Sequence, residues 1–337
     1  VKILIAAPED VFRNRFFTQQ TIRRIEALGD VIWNCSGTSW TEEEFRQRLP
    51  GMEVCIIGRG KNPCFSQELF KNFPDLKFFG YTGGSMKKII TPDVFETGIN
   101  FVCGNDAFAK PLAEASLLLM LTALRRVNQF WFPLKEGGSG WPKEKHYTDS
   151  LLGKKVGLLG YGAIAAELVE MLKVFTPDIC VADPYLTDES AVGNGFKKVC
   201  EPELFSSCDV VSIHHTLTET TLHMVDKELL SRMKDGAVLV NTSRGKIIDQ
   251  TALLHELETG RIFAALDVYE QEPFPADSPL RSLPNAVLSP HMGGSTVQCY
   301  RNQVKFVIDD LERFSRGEPL SHRVTRERFL RMSEKKI

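Results

Sequence analysis

One short run limits the fold of this chain more than any other. Gly160-Tyr-Gly162-Ala-Ile-Ala165 follows the apolar stretch Val156 to Leu159 and precedes a helical pattern from Ala163 to Phe175. In a strand–turn–helix of this kind the first glycine permits a tight reversal, the second lets backbone amides approach a pyrophosphate, and the third small residue keeps helix and strand close. The helix N-terminus then offers unpaired amides and the positive end of its dipole to phosphate. A plain strand-to-helix turn can carry the same glycines, so context decides. Asp183 ends the next strand-like run about 20 residues on, where a carboxylate accepts from both ribose hydroxyls of NAD and repels the 2′-phosphate of NADP. Pro184-Tyr185-Leu186 brings no Arg or Lys to receive that phosphate. NAD is therefore the expected cofactor, with Gly160, Tyr161, Gly162, Ala163 and Ile164 around its pyrophosphate.

The same alternation of short apolar runs and helical patterns extends along the chain. The early part offers strands at Val1 to Ala7, Glu53 to Ile57 and Leu76 to Tyr81, a helix from Phe16 to Leu28, and a capping box at Thr41-Glu-Glu-Glu44. From Lys154 the rhythm sharpens, with strands at Lys155 to Leu159, Ile179 to Asp183, Asp209 to His214, Ala237 to Thr242, Ile262 to Val268 and Ala286 to Ser289. Strands joined by helices argue for an α/β fold of doubly wound parallel sheets, and 337 residues exceed one ordinary core. A helix from Pro111 to Arg126 is apolar on more than one side and needs two neighbours, from its own chain or from another subunit. The helix from Thr296 to Phe314 also needs a host, and a return to the first domain makes that domain discontinuous.

Other classes fit poorly. Net charge is −2 with both signs interspersed, so there is no electrostatic footprint for nucleic acid or an anionic membrane, and neither is an expected partner. The basic tail, Arg323, Arg326, Arg328, Arg331, Lys335 and Lys336, is broken by Glu327 and Glu334 and reads as a solvated helix. The longest apolar stretch, Ala115 to Leu124, is short for a membrane span and reads as a soluble helix. Eight cysteines without a CxxC pair suit reduced, buried thiols, and the chain opens on a strand-like run instead of a signal peptide, so a cytoplasmic location is expected.

Three segments each place a polar group just past an apolar strand: Asn241-Thr-Ser-Arg244-Gly245, Asp267-Val-Tyr-Glu-Gln-Glu272-Pro273 and Ser289-Pro-His291-Met-Gly-Gly294. Open parallel sheets bind ligands at those carboxyl ends. Carbonyl reduction needs a guanidinium to hold a substrate carboxylate and polarise the carbonyl, an imidazole to protonate the nascent alkoxide, and a carboxylate to fix the imidazole tautomer and favour its acid form. Singly these residues are unremarkable; together they point to one site.

In Leu152-Gly153-Lys154, Gly157 to Ala165, Val238 to Gly245, Ala265 to Pro273 and Leu288 to Ser295, the chain resembles the D-isomer-specific 2-hydroxy acid dehydrogenase family, and the resemblance covers nearly its whole length. The resemblance implies an NAD-dependent transfer of hydride to or from C2 of a small D-2-hydroxy acid or 2-keto acid, such as glyoxylate or hydroxypyruvate. It gives Arg244, Glu272 and His291 the roles of substrate anchor, histidine partner and proton donor. Asp267 would receive the nicotinamide carboxamide, Thr242 and Ser243 would line the cofactor, and Gly293 and Gly294 would border it with His291. It implies a substrate domain of residues 1–103 and 291–337, a Rossmann NAD domain of residues 104–290 inserted into it, a cleft that closes between the two, and a homodimer joined through the NAD domain.

The chain also departs from the family pattern. The family's substrate-carboxylate loop, G-x-G-x-D, here reads Gly83-Gly-Ser-Met-Lys-Lys88, so Gly83, Gly84 and Ser85 are the substrate-binding candidates. Lys87 and Lys88 either favour a more acidic, phosphorylated substrate or begin a solvated helix, the latter reading being the simpler. The family's His-x-Pro-Leu-Thr becomes His214-His-Thr-Leu-Thr218, so His214, His215 and Thr216 are assigned to the cofactor loop, and no metal is expected. His146, His223, His255 and His322 carry no motif and default to surface or structural roles. The rivals are a nicotinamide-sensing, corepressor-like binder of the same fold and a phosphite dehydrogenase; a formate dehydrogenase is disfavoured because it carries Gln where Glu272 stands. The residues after the 296–314 helix are too few for the regulatory domain that phosphoglycerate members often add.

Overall fold

The computed structural model describes residues 1–137, 141 and 148–332; His146, Glu334, Lys335 and Lys336 lie outside the described residues. The chain divides into two compact units, Val1–Phe108 with the segment from Thr296 onward, and Ala109–Ser295. Both boundaries fall five residues beyond the expected 103 and 290, so His291 belongs to the second unit.

In the first unit five parallel strands, β1 (Lys2–Ile5), β2 (Asp30–Trp33), β3 (Val54–Ile57), β4 (Phe78–Tyr81) and β5 (Asn100–Cys103), lie in the order β2-β1-β3-β4-β5. Strand residues alternate between faces. Ile3, Ile5, Val54, Ile56 and Phe78 pack with Val304, Val307, Ile308 and Leu311 of the returning helix Val297–Ser315. Leu4, Cys55, Phe79 and Phe101 pack on the other face with Phe45, Phe65 and Phe70. Gly80 admits the returning helix, since a Cβ there would lie 2.7 Å from Val307 Cγ1. The Thr41–Glu44 capping box forms as expected. The single helix expected from Phe16 to Leu28 is instead two, Val11–Phe16 and Gln19–Glu26. Thr18 accepts from the Thr21 amide and starts the second helix, a cap hidden inside an unbroken helical pattern.

In the second unit seven parallel strands, β6 (Val156–Leu159), β7 (Ile179–Ala182), β8 (Lys197–Lys198), β9 (Val210–Ile213), β10 (Val238–Asn241), β11 (Phe263–Leu266) and β12 (Ala286–Leu288), take the order β12-β11-β10-β9-β6-β7-β8. The chain runs outward from β6 in one direction and then in the other, so the order reverses between β6 and β9. The carboxyl ends at such a reversal form the crevice where doubly wound sheets bind ligands.

The apolar helix expected from Pro111 spans Ala109–Leu124 and packs on β10, β11, β12 and the helix Ala163–Leu172. It stops where Arg126 takes a left-handed φ of 51°, and a second helix, Val127–Lys135, follows. The run Gly104–Leu124 is long and apolar enough to cross a membrane by length and composition. Its Ala113, Ser116, Leu119, Met120 and Ala123 are buried within this unit.

Candidate active site

The fingerprint turn is built as its glycines require. Gly160 has φ 97°, and a Cβ there would lie 2.7 Å from the His215 amide nitrogen, so the turn presses on the loop after β9. Gly162 caps the helix Ala163–Leu172 without any side-chain hydrogen bond, and a Cβ there would meet open space. Uncapped amides of a ten-residue helix beside empty volume fit a pyrophosphate. Ala165 is fully buried against the sheet. Asp183 does more than the sequence implies: it accepts the Tyr161 amide on Oδ2 and the Tyr185 amide on Oδ1, both at 2.8 Å. Each oxygen keeps a second lone pair for a ribose hydroxyl.

In the loop after β9, burial favours the neutral form of both histidines. Burial, helped by the neighbouring His215, pushes His214 down to about 4, and its Nε2 lies 2.9 Å from Ser212 Oγ. Burial also lowers His215, with Asp183 opposing. The Thr216 carbonyl accepts from Thr221 Oγ1 at 2.7 Å, which replaces part of the stiffness that the absent proline would give.

Beyond β10, Asn241 organises the turn: its side chain donates to the Arg244 carbonyl at 2.9 Å and accepts the Ser243 amide at 3.0 Å. The Ser243 hydroxyl donates to the His215 carbonyl, tying this turn to the cofactor loop. Thr242 is buried and bonds Ser116 Oγ at 2.8 Å, so its side chain faces the helix Ala109–Leu124. Whatever Thr242 offers a cofactor comes from its backbone. Arg244 Nη1 donates to the Ser243 carbonyl at 2.7 Å. Burial lowers the Arg244 pKa and the nearby Glu272 carboxylate opposes the shift.

Glu272 and His291 meet. Glu272 Oε2 lies 2.7 Å from His291 Nδ1, while Oε1 accepts the Tyr269 amide at 3.1 Å. His291 has φ 54°, a left-handed conformation that costs a non-glycine residue about 1 kcal/mol or more. Buried Asp267 maintains it: its carboxylate accepts Ser289 Oγ at 2.6 Å and the Met292 and Gly293 amides at 2.9 Å each. Asp267 is thus the scaffold of the histidine loop, with one of its roughly four acceptor positions left for a further donor. Gly293 is required here, since a Cβ would sit 2.9 Å from Asp267 Oδ2 and 3.1 Å from Ala115 Cβ. Gly294 lies in the turn that follows.

In the first unit, residues 83–88 follow β4 as a bend and turn instead of a helix start. A Cβ on Gly83 would collide with Tyr81 and one on Gly84 would lie 2.9 Å from Phe108, so both glycines answer to packing. Ser85 Oγ accepts the Lys87 amide at 3.3 Å, and the Lys87 ammonium lies 5.0 Å from the Phe329 ring centre.

Two residues of the catalytic region escaped the sequence reading. Gly245 lies against the 269–270 peptide so closely that a Cβ would be 1.9 Å from the Tyr269 carbonyl carbon. Glu270 Oε1 lies 3.0 Å from His223 Nε2 and accepts the Gln250 amide. A pattern of two carboxylates two residues apart, Glu270 and Glu272, was the only available signal.

Residues 117–293, more than half of the chain, match the family model described as the NAD binding domain of D-isomer specific 2-hydroxyacid dehydrogenases. The chain is 32% identical to a D-3-phosphoglycerate dehydrogenase of Methanocaldococcus jannaschii, over 94% of its own length and 58% of that protein's. It spans about half the length of two further curated phosphoglycerate dehydrogenases that it matches. It is 33% identical to a hydroxypyruvate reductase of Thermotoga maritima, over 77% of this chain and 84% of that one. The crystal structure of a phosphoglycerate oxidoreductase from Rhizobium etli superposes with a TM-score of 0.81 at 24% identity, over 96% of this chain and 98% of that one, a likeness of fold. The family model, the length of these alignments and the shared two-sheet architecture agree: the chain belongs to the D-isomer specific 2-hydroxyacid dehydrogenase family.

Proposed function

We propose that this chain is an NAD-dependent oxidoreductase that interconverts a small 2-keto acid and its D-2-hydroxy acid. The observation that carries the reading is the 2.7 Å contact between Glu272 and His291 Nδ1, in the unit that also holds Arg244 and the fingerprint turn. In the reductive direction, 2-keto acid, NADH and a proton become 2-hydroxy acid and NAD⁺. Bound NADH supplies the hydride that C2 of the substrate receives. Arg244 grips the substrate carboxylate through its fixed fork and draws electron density toward the carbonyl oxygen. His291 gives a proton from Nε2 to that oxygen as it becomes an alkoxide, and Glu272 holds the Nδ1–H tautomer in place and stabilises the charged ring. Glyoxylate and hydroxypyruvate head the candidate substrates, in keeping with the names of the reductases this chain resembles.

Leu118, Trp131, Phe132 and Leu134 expose apolar surface on two successive helices of the second unit, which supports a homodimer joined there. Eight free thiols, most of them buried, suit a reducing compartment such as the cytoplasm. The test is NADH oxidation across a panel of 2-keto acids, with Arg244→Ala as control. Turnover that the variant loses in kcat/KM, at unchanged NADH affinity, supports the reading. Cofactor-dependent association without turnover on any keto acid sinks it in favour of a sensor.

A further inference from the structure

Three segments of the second unit meet around the Glu270 side chain and its backbone. Glu270 Oε1 lies 3.0 Å from His223 Nε2 and accepts the Gln250 amide at 3.3 Å. His223 belongs to a segment laced to the stretch after Arg244: its amide donates to the Lys246 carbonyl at 2.8 Å, Val225 to Ile247 at 3.0 Å, and Asp249 back to Val225 at 3.0 Å. Gly245 meanwhile rests on the Tyr269–Glu270 peptide. Glu270 is therefore a cross-link between the loop that carries Arg244 and the loop that carries Glu272.

Capping the helix Gln250–Glu258 does not account for Glu270. Asp249 already caps that helix, accepting the Thr251 and Ala252 amides at 3.0 Å each. The contact with His223 adds nothing to a helix start; it fastens the 269–272 loop to the 223–225 and 246–250 segments. We infer that Glu270, held by His223 and the Gln250 amide, is a positioning residue that fixes Arg244 relative to the Glu272–His291 pair, an inference that rests on the function proposed above. The reason is geometric. Guanidinium and imidazole must address the carboxylate and carbonyl of one small molecule together, and a misplacement of about 1 Å can cost on the order of a hundredfold in rate.

The experiment compares Glu270→Ala, Glu270→Gln and His223→Asn with the wild type on its best 2-keto acid. Asn tolerates the left-handed backbone of His223 but is too short to keep the contact with Glu270. Glu270→Ala is expected to lower kcat by about ten- to a hundredfold while KM for NADH and the melting temperature hold. Glu270→Gln keeps an acceptor oxygen and restores most of the loss; His223→Asn falls between. Hydrogen exchange followed by mass spectrometry gives a second readout: Glu270→Ala should speed exchange of residues 244–250 and 269–272 together and leave 160–165 unchanged. Wild-type turnover in Glu270→Ala with unaltered exchange overturns the inference, as does a parallel loss of kcat, NADH affinity and melting temperature that Gln fails to rescue. If the wild type turns over no 2-keto acid, the functional reading falls, while the exchange pattern still decides whether the cross-link exists.

Discussion

His291 with Glu272 in the second unit and His322 with Asp106 in the first are both imidazole–carboxylate pairs through Nδ1, at 2.7 and 2.8 Å. Their surroundings differ. The His322 side chain is 17% exposed, its ring stacks on Phe306 at 4.3 Å, and its amide donates to buried Asp310 at 2.6 Å. Asp106 also receives the Arg328 guanidinium. Burial pushes the Asp106 pKa up, but the His322 hydrogen bond and the Arg328 charge prevail and hold it below the usual carboxylate range. The His291 side chain is 45% exposed on a backbone kept left-handed by the Asp267 network. The more enclosed pair, tied into several neighbours, holds structure together. One whose imidazole keeps an open face can pass a proton to something that binds there.

The comparison breaks most easily at His291. His291→Ala should cut keto acid reduction by roughly 10²–10⁴-fold in steady-state assays while the urea midpoint stays put; substantial turnover would make this pair structural as well. Glu272→Gln should cost less, about ten- to a hundredfold, because the imidazole remains and only its orientation and charge stabilisation suffer.

A third histidine sharpens the contrast through pH. His214 is neutral in the fold, with its pKa lowered from 6.5 to about 4. Its contribution to stability is fully present above the unfolded value and is lost as pH falls from there toward the folded one. Urea unfolding from pH 7 to pH 4 should therefore show a decline that His214→Gln reduces, by at most about 3 kcal/mol. An identical decline in the variant would mean that His214 is charged in the native state. Asp106, with a lowered pKa, loses its contribution only as pH falls below the ordinary carboxylate value of 3.8, so it does not obscure that window. The smallest effect belongs to His322→Ala: a loss of about 1–2 kcal/mol in urea unfolding, with kcat unchanged. A large drop in kcat there would erase the distinction between the two pairs.

Much of this was legible in the residues. The glycines at 160 and 162 with Ala165, the buried runs of β6, β9 and β10, and the Thr41–Glu44 box are local signals, and each formed where its pattern lay. Strands β2 and β8 went unread because Asp30–Trp33 and Lys197–Lys198 sit at sheet edges, where half-exposed residues blur the apolar period, and β5 because its buried part, Phe101 to Cys103, is too short a run to stand out. The break at Thr18 was hidden because a capping threonine inside a helical period looks like any other helix residue.

The sequence by itself determined which chemistry is available: a phosphate-binding turn, a carboxylate for ribose, and an arginine, a glutamate and a histidine each placed just beyond a strand. Local spacing encodes these, because period and turn chemistry depend on neighbours in the chain. Only the tertiary structure decided who holds them. That Asp267 carries the histidine loop, that Gly245 must lack a side chain to admit Tyr269, and that Glu270 ties His223 to Gln250 are contacts between segments roughly 20 or more residues apart. Sheet order creates that proximity, and no period along the chain records it.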